Sequence, residues 1–143
     1  MLMRFVFAMA IGVTSLNAAE HEAVAAVLVM EAGGEGEKGL RAVMEVIQNR
    51  ARERHDTRFD VIRAKKQFEV LNARTVKDLI DEAKQHKLWK MALTIALQGT
   101  QTNLTHGADH YHERTITPYW ADPTKRTGMV GKHVFYRLKS GRK

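Results

Sequence analysis

From Ala23 to Met30 the chain carries no polar side chain, and the run ends on a single carboxylate, Glu31, just before the glycine pair Gly33-Gly34. An apolar stretch of this length has no face for solvent, so as a helix it must be buried on most sides. The glycines are expected to supply the left-handed residue that stops it. A second pattern follows, in which Glu35 and Glu37 lead, Leu40, Val43, Met44 and Ile47 recur at helical spacing, and Arg50, Arg52 and Arg54 close. Acids first and bases last match the helix dipole, so the spacing predicts a helix from Glu37 to Glu53 with its basic face in solvent. Two antiparallel helices joined by this glycine turn would pack Val27 and Met30 against Leu40 and Met44, with Glu31 at their junction.

Further on, His55 to Phe59 reads as a loop, Phe59 to Lys65 as a short helical turn, and Lys65 to Phe68 as a polar bend with one aromatic. Thr75 is placed to cap a helix that turns Val76, Leu79 and Ile80 inward, with Asp78 as its partner in the manner of a capping box. Lys87 to Leu97 predicts another helix, with a broad apolar surface of Leu88, Met91, Leu93, Ile95 and Ala96, ended by Gly99. From Thr100 onward helix formers thin out and both prolines of the chain appear. Ala108 to Glu113 and Lys132 to Leu138 alternate as strands, 116–122 is irregular around Pro118 and Pro123, and Gly128 to Gly131 punctuates.

At 143 residues the chain makes one domain. Its formal charge of +7 attracts polyanions, anionic wall polymers among them. There is no arginine-rich block interleaved with aromatics, so nucleic acid is not an expected partner. No cysteine is present, which excludes disulfides and thiolate metal sites. Met1 to Arg4 is short and basic, Phe5 to Val13 is compactly apolar, and Thr14 to Ala19 ends in small residues: the plan of a signal peptide over 1–19, cut near Ala18 or Ala19 or retained as a signal anchor. The protein is therefore expected to be exported to the periplasm, wall or exterior, with no stable membrane insertion after cleavage. Seven Lys and Arg follow Asp122 with no acid among them, and 140–143 reads as a basic tail.

Glu31 is where the pattern points to chemistry. The C-terminal end of a helix dipole is negative and Val29 and Met30 solvate poorly, so both effects favour the neutral acid. A carboxylic acid kept protonated is what a general acid needs to protonate a leaving oxygen. The plainer alternative is a Glu that points to water at a helix end. Glu35 is the obvious second carboxylate, or else a cap for the helix that follows; Asp109 and Asp122 are weaker candidates. Tyr111, His112, Trp120, His133 and Tyr136 are candidate sugar-binding residues, since flat rings stack on pyranose faces. A strand puts alternate residues on opposite faces, so only part of this set can share a cleft; Tyr111 and Trp120 are the favoured pair.

The stretches MEAGGEGEKGLRAVMEVIQNR and HYHERTITPYWADPTKRTGMVGKHVFYR together resemble the SleB-type cell wall hydrolases. The shared pattern is a Glu-Ala-x-Gly-Glu turn (Glu31 to Glu35), Asn49-Arg50, Gln67-Phe68, a histidine-bearing strand, Pro118-x-Trp120, and a closing Gly131-x-His133-x-Phe135-Tyr136. One departure is Gly33, where that family carries arginine. The resemblance implies an α+β fold, a lysozyme-like mainly helical body with a small C-terminal antiparallel sheet, as a catalytic domain over 20–139. It implies cleavage of peptidoglycan glycan strands between N-acetylmuramic acid and N-acetylglucosamine, in the manner of a lytic transglycosylase, with Glu31 as acid and then base. It adds Gln67 and Phe68 to the substrate-binding set, and requires no cofactor or metal; a monomer is expected. Two rivals stand beside it: a zinc amidase using His110, His112, His133 and Asp109 with Glu31 activating water, and a non-catalytic basic wall-binding or DNA-binding module.

Overall fold

The computed structural model describes residues 16–64, 68–71 and 74–138. The basic tail over 140–143, most of the predicted signal segment and Gln67 lie outside the described residues. Five helices, α1 (Ala18–Ala32), α2 (Gly36–Arg54), α3 (Arg58–Arg63), α4 (Val76–Ala83) and α5 (Trp89–Gln98), precede three strands, β1 (His110–Glu113), β2 (Arg126–Val130) and β3 (His133–Tyr136). The strands form an antiparallel sheet in the order β1-β3-β2. This is the mainly helical α+β architecture that the resemblance implies.

α1 is the central helix, and α2 to α5 pack around it. Its apolar run explains why: Val24 through Leu28 are completely buried, and no side of such a helix can face water. A reciprocal capping box starts it, with Asn17 Oδ1 accepting from the Glu20 amide at 2.9 Å and Glu20 Oε2 from the Asn17 amide at 3.2 Å. Its end differs from expectation. Gly33 keeps a right-handed backbone, φ −59°, and starts a single 3-10 turn over Gly33–Glu35. The left-handed residue is Gly36, φ 70°, where the chain enters α2.

α2 is two-sided, which one apolar stripe did not reveal. Leu40, Val43, Met44 and Ile47 face the helical core, while Ala42 and Val46 lie against Phe135 and Ala108 under the sheet. Along that second face run Glu45, Asn49 and Arg50, which bind the chain leading to β1. Glu45 is buried and accepts from Thr102 Oγ1 at 2.8 Å and from the Leu104 amide, the Thr105 amide and Thr105 Oγ1 at 3.0 Å each. Asn49 Nδ2 donates to the Ala108 carbonyl at 2.8 Å, and Arg50 Nε to the Asp109 carbonyl at 2.6 Å. Arg50 is therefore not part of a solvent-facing basic face; it is buried, with its guanidinium over the Phe68 ring.

Thr75 caps as its position suggests, accepting from the Asp78 amide to start α4, and Thr57, in the stretch read as a loop, starts α3 in the same way by accepting from the Asp60 amide. The inward face of α5 is narrower than expected, because Ala92, Ile95 and Ala96 are buried whereas Met91 and Leu97 are exposed. β2 is an addition: the segment read as punctuation pairs with β3 through a bulge between Arg126 and Gly128. Among the described residues no helix is long and apolar enough to cross a membrane.

Replacing Glu45 by alanine strands the buried amide and hydroxyl of Thr105, each costing about 1–3 kcal/mol if left unpaired, while Thr102 and the part-buried Leu104 amide turn to water. We therefore expect Glu45→Ala to lower unfolding stability by at least about 2 kcal/mol in urea titrations. An unchanged midpoint would contradict this anchoring role.

Candidate active site

Glu31 occupies the last turn of α1, half-buried, and its Oε2 accepts a hydrogen bond of 3.0 Å from the phenol of Tyr111 on β1. In the β1–β3 register Tyr111 stands opposite Phe135, and Glu113 opposite His133. Side chains of directly opposed residues share a face, so Tyr111, His133 and Phe135 project together toward the helices. Their rings meet at centroid separations of 5.1 Å (Tyr111–His133) and 5.6 Å (Tyr111–Phe135). Burial, and then the charge of Glu31, pushes the Tyr111 hydroxyl well above its usual range. The phenol accordingly stays a neutral donor.

Glu35 fixes this face in place. Its Oε1 accepts from the Lys132 amide at 2.8 Å and its Oε2 contacts His133 Nδ1 at 2.7 Å, with both side chains less than a tenth exposed. Gly131, in the β2–β3 turn, has φ 56°, and a Cβ there would lie 2.8 Å from the Glu35 carboxyl. Glycine is thus required twice over, for its left-handed backbone and for the close approach of the carboxylate. The expectation that Glu35 caps α2 is corrected: it precedes the helix, but makes no side-chain cap bond there. Its oxygens go to the sheet instead.

The sugar-binding candidates divide between two faces. His110, His112 and Tyr136 lie on the face opposite Tyr111, where Trp120 covers them edge-on at centroid separations of 5.2, 5.8 and 5.6 Å. His112 stacks on Tyr136 at 5.3 Å, and its Nε2 is 3.0 Å from the Tyr136 hydroxyl. Tyr111 and Trp120, the favoured pair, are therefore on opposite sides of the sheet. Beside Trp120 the loop presents Tyr119, fully exposed, and Ile116, 72% exposed.

Other expectations are corrected by burial and bonding. Phe68 is 2% exposed and belongs to the helical core, so it is a packing residue and offers no surface to a substrate. Asp109 is fully buried, and its Oδ1 accepts from the Leu138 amide at 2.7 Å and contacts His110 Nδ1 at 2.9 Å. Asp122 accepts from the Thr124 amide and hydroxyl within its own turn. The zinc set does not assemble: His133 is on the other face from His110 and His112, and among the described residues no three His, Cys, Asp or Glu side chains cluster as ligands.

The structure also adds residues that sequence patterns passed over. His86 is one: a Cβ on Gly33 would meet its ring at 3.0 Å, so His86 fills the space where a side chain at position 33 would begin. Asn49 and Arg50 act through the carbonyls of Ala108 and Asp109, setting where β1 begins and hence where Tyr111 lands. The Asn-Arg pair in the resemblance was the available signal for them.

A profile of the family described as Cell Wall Hydrolase matches residues 34–136, a span that opens three residues after Glu31. Among solved structures the chain is similar to the catalytic domain of the Bacillus cereus SleB protein, with 22% identity, a TM-score of 0.64, and coverage of 87% of this chain and 94% of that one. No curated protein gives a significant match.

Glu35→Gln keeps the size of the side chain but sets an amide donor against His133 or against the Lys132 amide. Leaving a buried donor unsatisfied costs about 1–3 kcal/mol, and that loss is the expected fall in unfolding stability. Chemical denaturation at neutral pH checks it; a variant as stable as the parent would show that the clasp does not hold the sheet.

Proposed function

The chain belongs to the cell wall hydrolase family, enzymes that degrade peptidoglycan, and from that premise we propose that it cuts the glycan strand between N-acetylmuramic acid and N-acetylglucosamine with Glu31 as its acid and base. The observation that carries this reading is the Tyr111–Glu31 hydrogen bond of 3.0 Å. A neutral phenol donating to Oε2 steadies the carboxylate that remains once the proton has passed to the substrate.

In this reading the Glu31 carboxyl protonates the glycosidic oxygen as the bond to C1 of the muramic residue breaks. The leaving sugar departs as an alcohol and positive charge develops at C1. The Glu31 carboxylate, stabilised by the Tyr111 donor, then takes the proton of the muramic 6-hydroxyl. That oxygen closes on C1, leaving a 1,6-anhydro end and restoring the acid. Two-carboxylate hydrolysis needs a second acid about 5 Å away for retention, or about 6.5–9.5 Å for inversion. Glu35 is ill suited to that task, since both of its oxygens are engaged and its side chain is 8% exposed. The single-carboxylate route is therefore the one we favour.

The remaining assignments are of the same standing. Residues 1–19 are proposed to direct export and 20–139 to form the catalytic domain. The aromatic edge of His112 and Trp120 is proposed to guide the glycan along the outer face of the sheet. The excess of positive charge is proposed to hold the enzyme near anionic wall polymers, an attraction that salt weakens.

Glu31→Gln should lower release of new glycan ends from purified sacculi by roughly 10²- to 10⁴-fold, the range for loss of general acid–base catalysis. Mass spectrometry of the ends from the parent protein should show products lighter by one water than hydrolysis products. Ends carrying a full water would overturn the intramolecular step, and freed peptide stems would indicate an amidase.

A further inference from the structure

We propose that Glu53 is a positioning residue: its carboxyl holds that of Asp109 through one shared proton, and so fixes the strand that carries Tyr111 to Glu31. The kinetic part of this proposal rests on the reading of Glu31 given above, and the shared proton does not.

Glu53 lies one turn beyond Asn49 on α2, so helical spacing places the two on one face. That face already meets the entry to β1, where Asn49 Nδ2 and Arg50 Nε donate to the carbonyls of Ala108 and Asp109. Those two bonds hold backbone. The side chain of Asp109 is completely buried, and its Oδ1 accepts from the Leu138 amide at 2.7 Å and lies 2.9 Å from His110 Nδ1. Its carboxyl also faces that of Glu53, within hydrogen-bonding reach. Asp109 precedes Tyr111 by two residues, so whatever moves its side chain moves the phenol that donates to Glu31.

Two ionised carboxyls offer each other only acceptors. Glu53 Oε2 is enclosed and meets no donor among the described residues, although a buried polar oxygen normally has a hydrogen-bond partner. Like charges in contact and shielded from water are also strongly unfavourable. One proton removes both difficulties, because a neutral Glu53 donates its O–H to the Asp109 carboxylate. Asp109 is the member that keeps the charge, since the Leu138 amide stabilises its anionic form.

The cations around the pair leave this proton in place. Arg50 is turned to the Asp109 carbonyl, and His110 to Oδ1. Arg54 on α2 and Arg137 after β3 draw Glu53 toward the charged form, but burial, and then the charge of Asp109 and the hydrogen bond to it, outweigh them and push the Glu53 carboxyl above its usual range. A carboxyl raised in this way stabilises the fold fully below its unfolded value and loses that contribution as pH rises through its folded one. Above that point the two carboxylates repel, and the entry to β1 loses one of its holds.

Glu53→Gln tests this, because an amide donates to Asp109 at every pH. Urea titrations give the folding equilibrium constant of variant and parent, and their ratio should rise several-fold in favour of the variant between about pH 5 and about pH 9. Groups that titrate elsewhere cancel in that ratio, and a flat ratio would overturn the shared proton. Carbon-13 NMR of the glutamate carboxyls of the parent is an independent reading. Glu53 should titrate above the ordinary value of about 4.3, and Asp109→Asn, which turns an amide donor toward it, should bring it down; an ordinary titration in the parent would overturn the proposal equally. The positioning role is read from kcat for glycan cleavage over the same pH series. The ratio of Glu53→Gln to parent should rise with pH when Tyr111 is present and stay level in a Tyr111→Phe background, while loss of the proton from Glu31 itself divides out. A level ratio with Tyr111 present, or an equal rise in both backgrounds, would contradict a role through the phenol. A parent that releases no glycan ends sinks the reading of Glu31, whereas the titration and stability measurements judge the shared proton without it.

Discussion

The contact on which the arrangement depends is the carboxylate of Glu35 between the Lys132 amide and the His133 ring. It joins the turn after α1 to the turn between β2 and β3, segments almost a hundred residues apart in the chain. A small three-stranded sheet has little apolar area of its own, so its position depends on what ties it to the helices. Glu35 ties one end, and Asn49 and Arg50 tie the strand that carries Tyr111. The result is that a phenol from the sheet reaches a carboxyl on the buried helix. Glu31 and Glu35 stand four residues apart and differ in their partners, the first met by the Tyr111 phenol and the second held between the Lys132 amide and the His133 ring.

Much of this framework was legible before the structure. The unbroken apolar run announced a central helix, the charge order of α2 matched its dipole, and Thr75 marked the start of α4. These signals are local, and local signals survive without tertiary information. What escaped depends on partners distant in sequence. One apolar stripe on α2 concealed a second face, because Ala42 and Val46 are too small to stand out and Glu45, Asn49 and Arg50 look like surface until the loop they bind is present. β2 was missed because Gly128 and the bulge break the alternation that identifies a strand. Phe68 looked available to a sugar only because nothing nearby in the sequence shows that Arg50 and the helical core enclose it.

The candidate site was legible in its residue types and less so in its geometry. Alternation along β1 correctly separates Tyr111 from His110 and His112, but the side on which Trp120 lies depends on the course of an irregular loop. Glu35 was ambiguous for a sharper reason: a carboxylate just before a helix has an obvious local use as a cap. Here the sheet supplies both a backbone amide and a buried imidazole, and together they draw the carboxylate away from the helix end. The sheet thereby acquires two distinct faces: an inner one whose Tyr111 reaches Glu31, and an outer aromatic one under Trp120.

The claim that Glu35 serves the reaction by holding Tyr111 against Glu31 is open to a double-mutant cycle on kcat for glycan cleavage, using Glu35→Gln, Tyr111→Phe and the pair. If the clasp acts through the phenol, the double variant is no slower than the slower single variant, because the second change removes a contact already lost. Losses that multiply as independent factors would contradict the account.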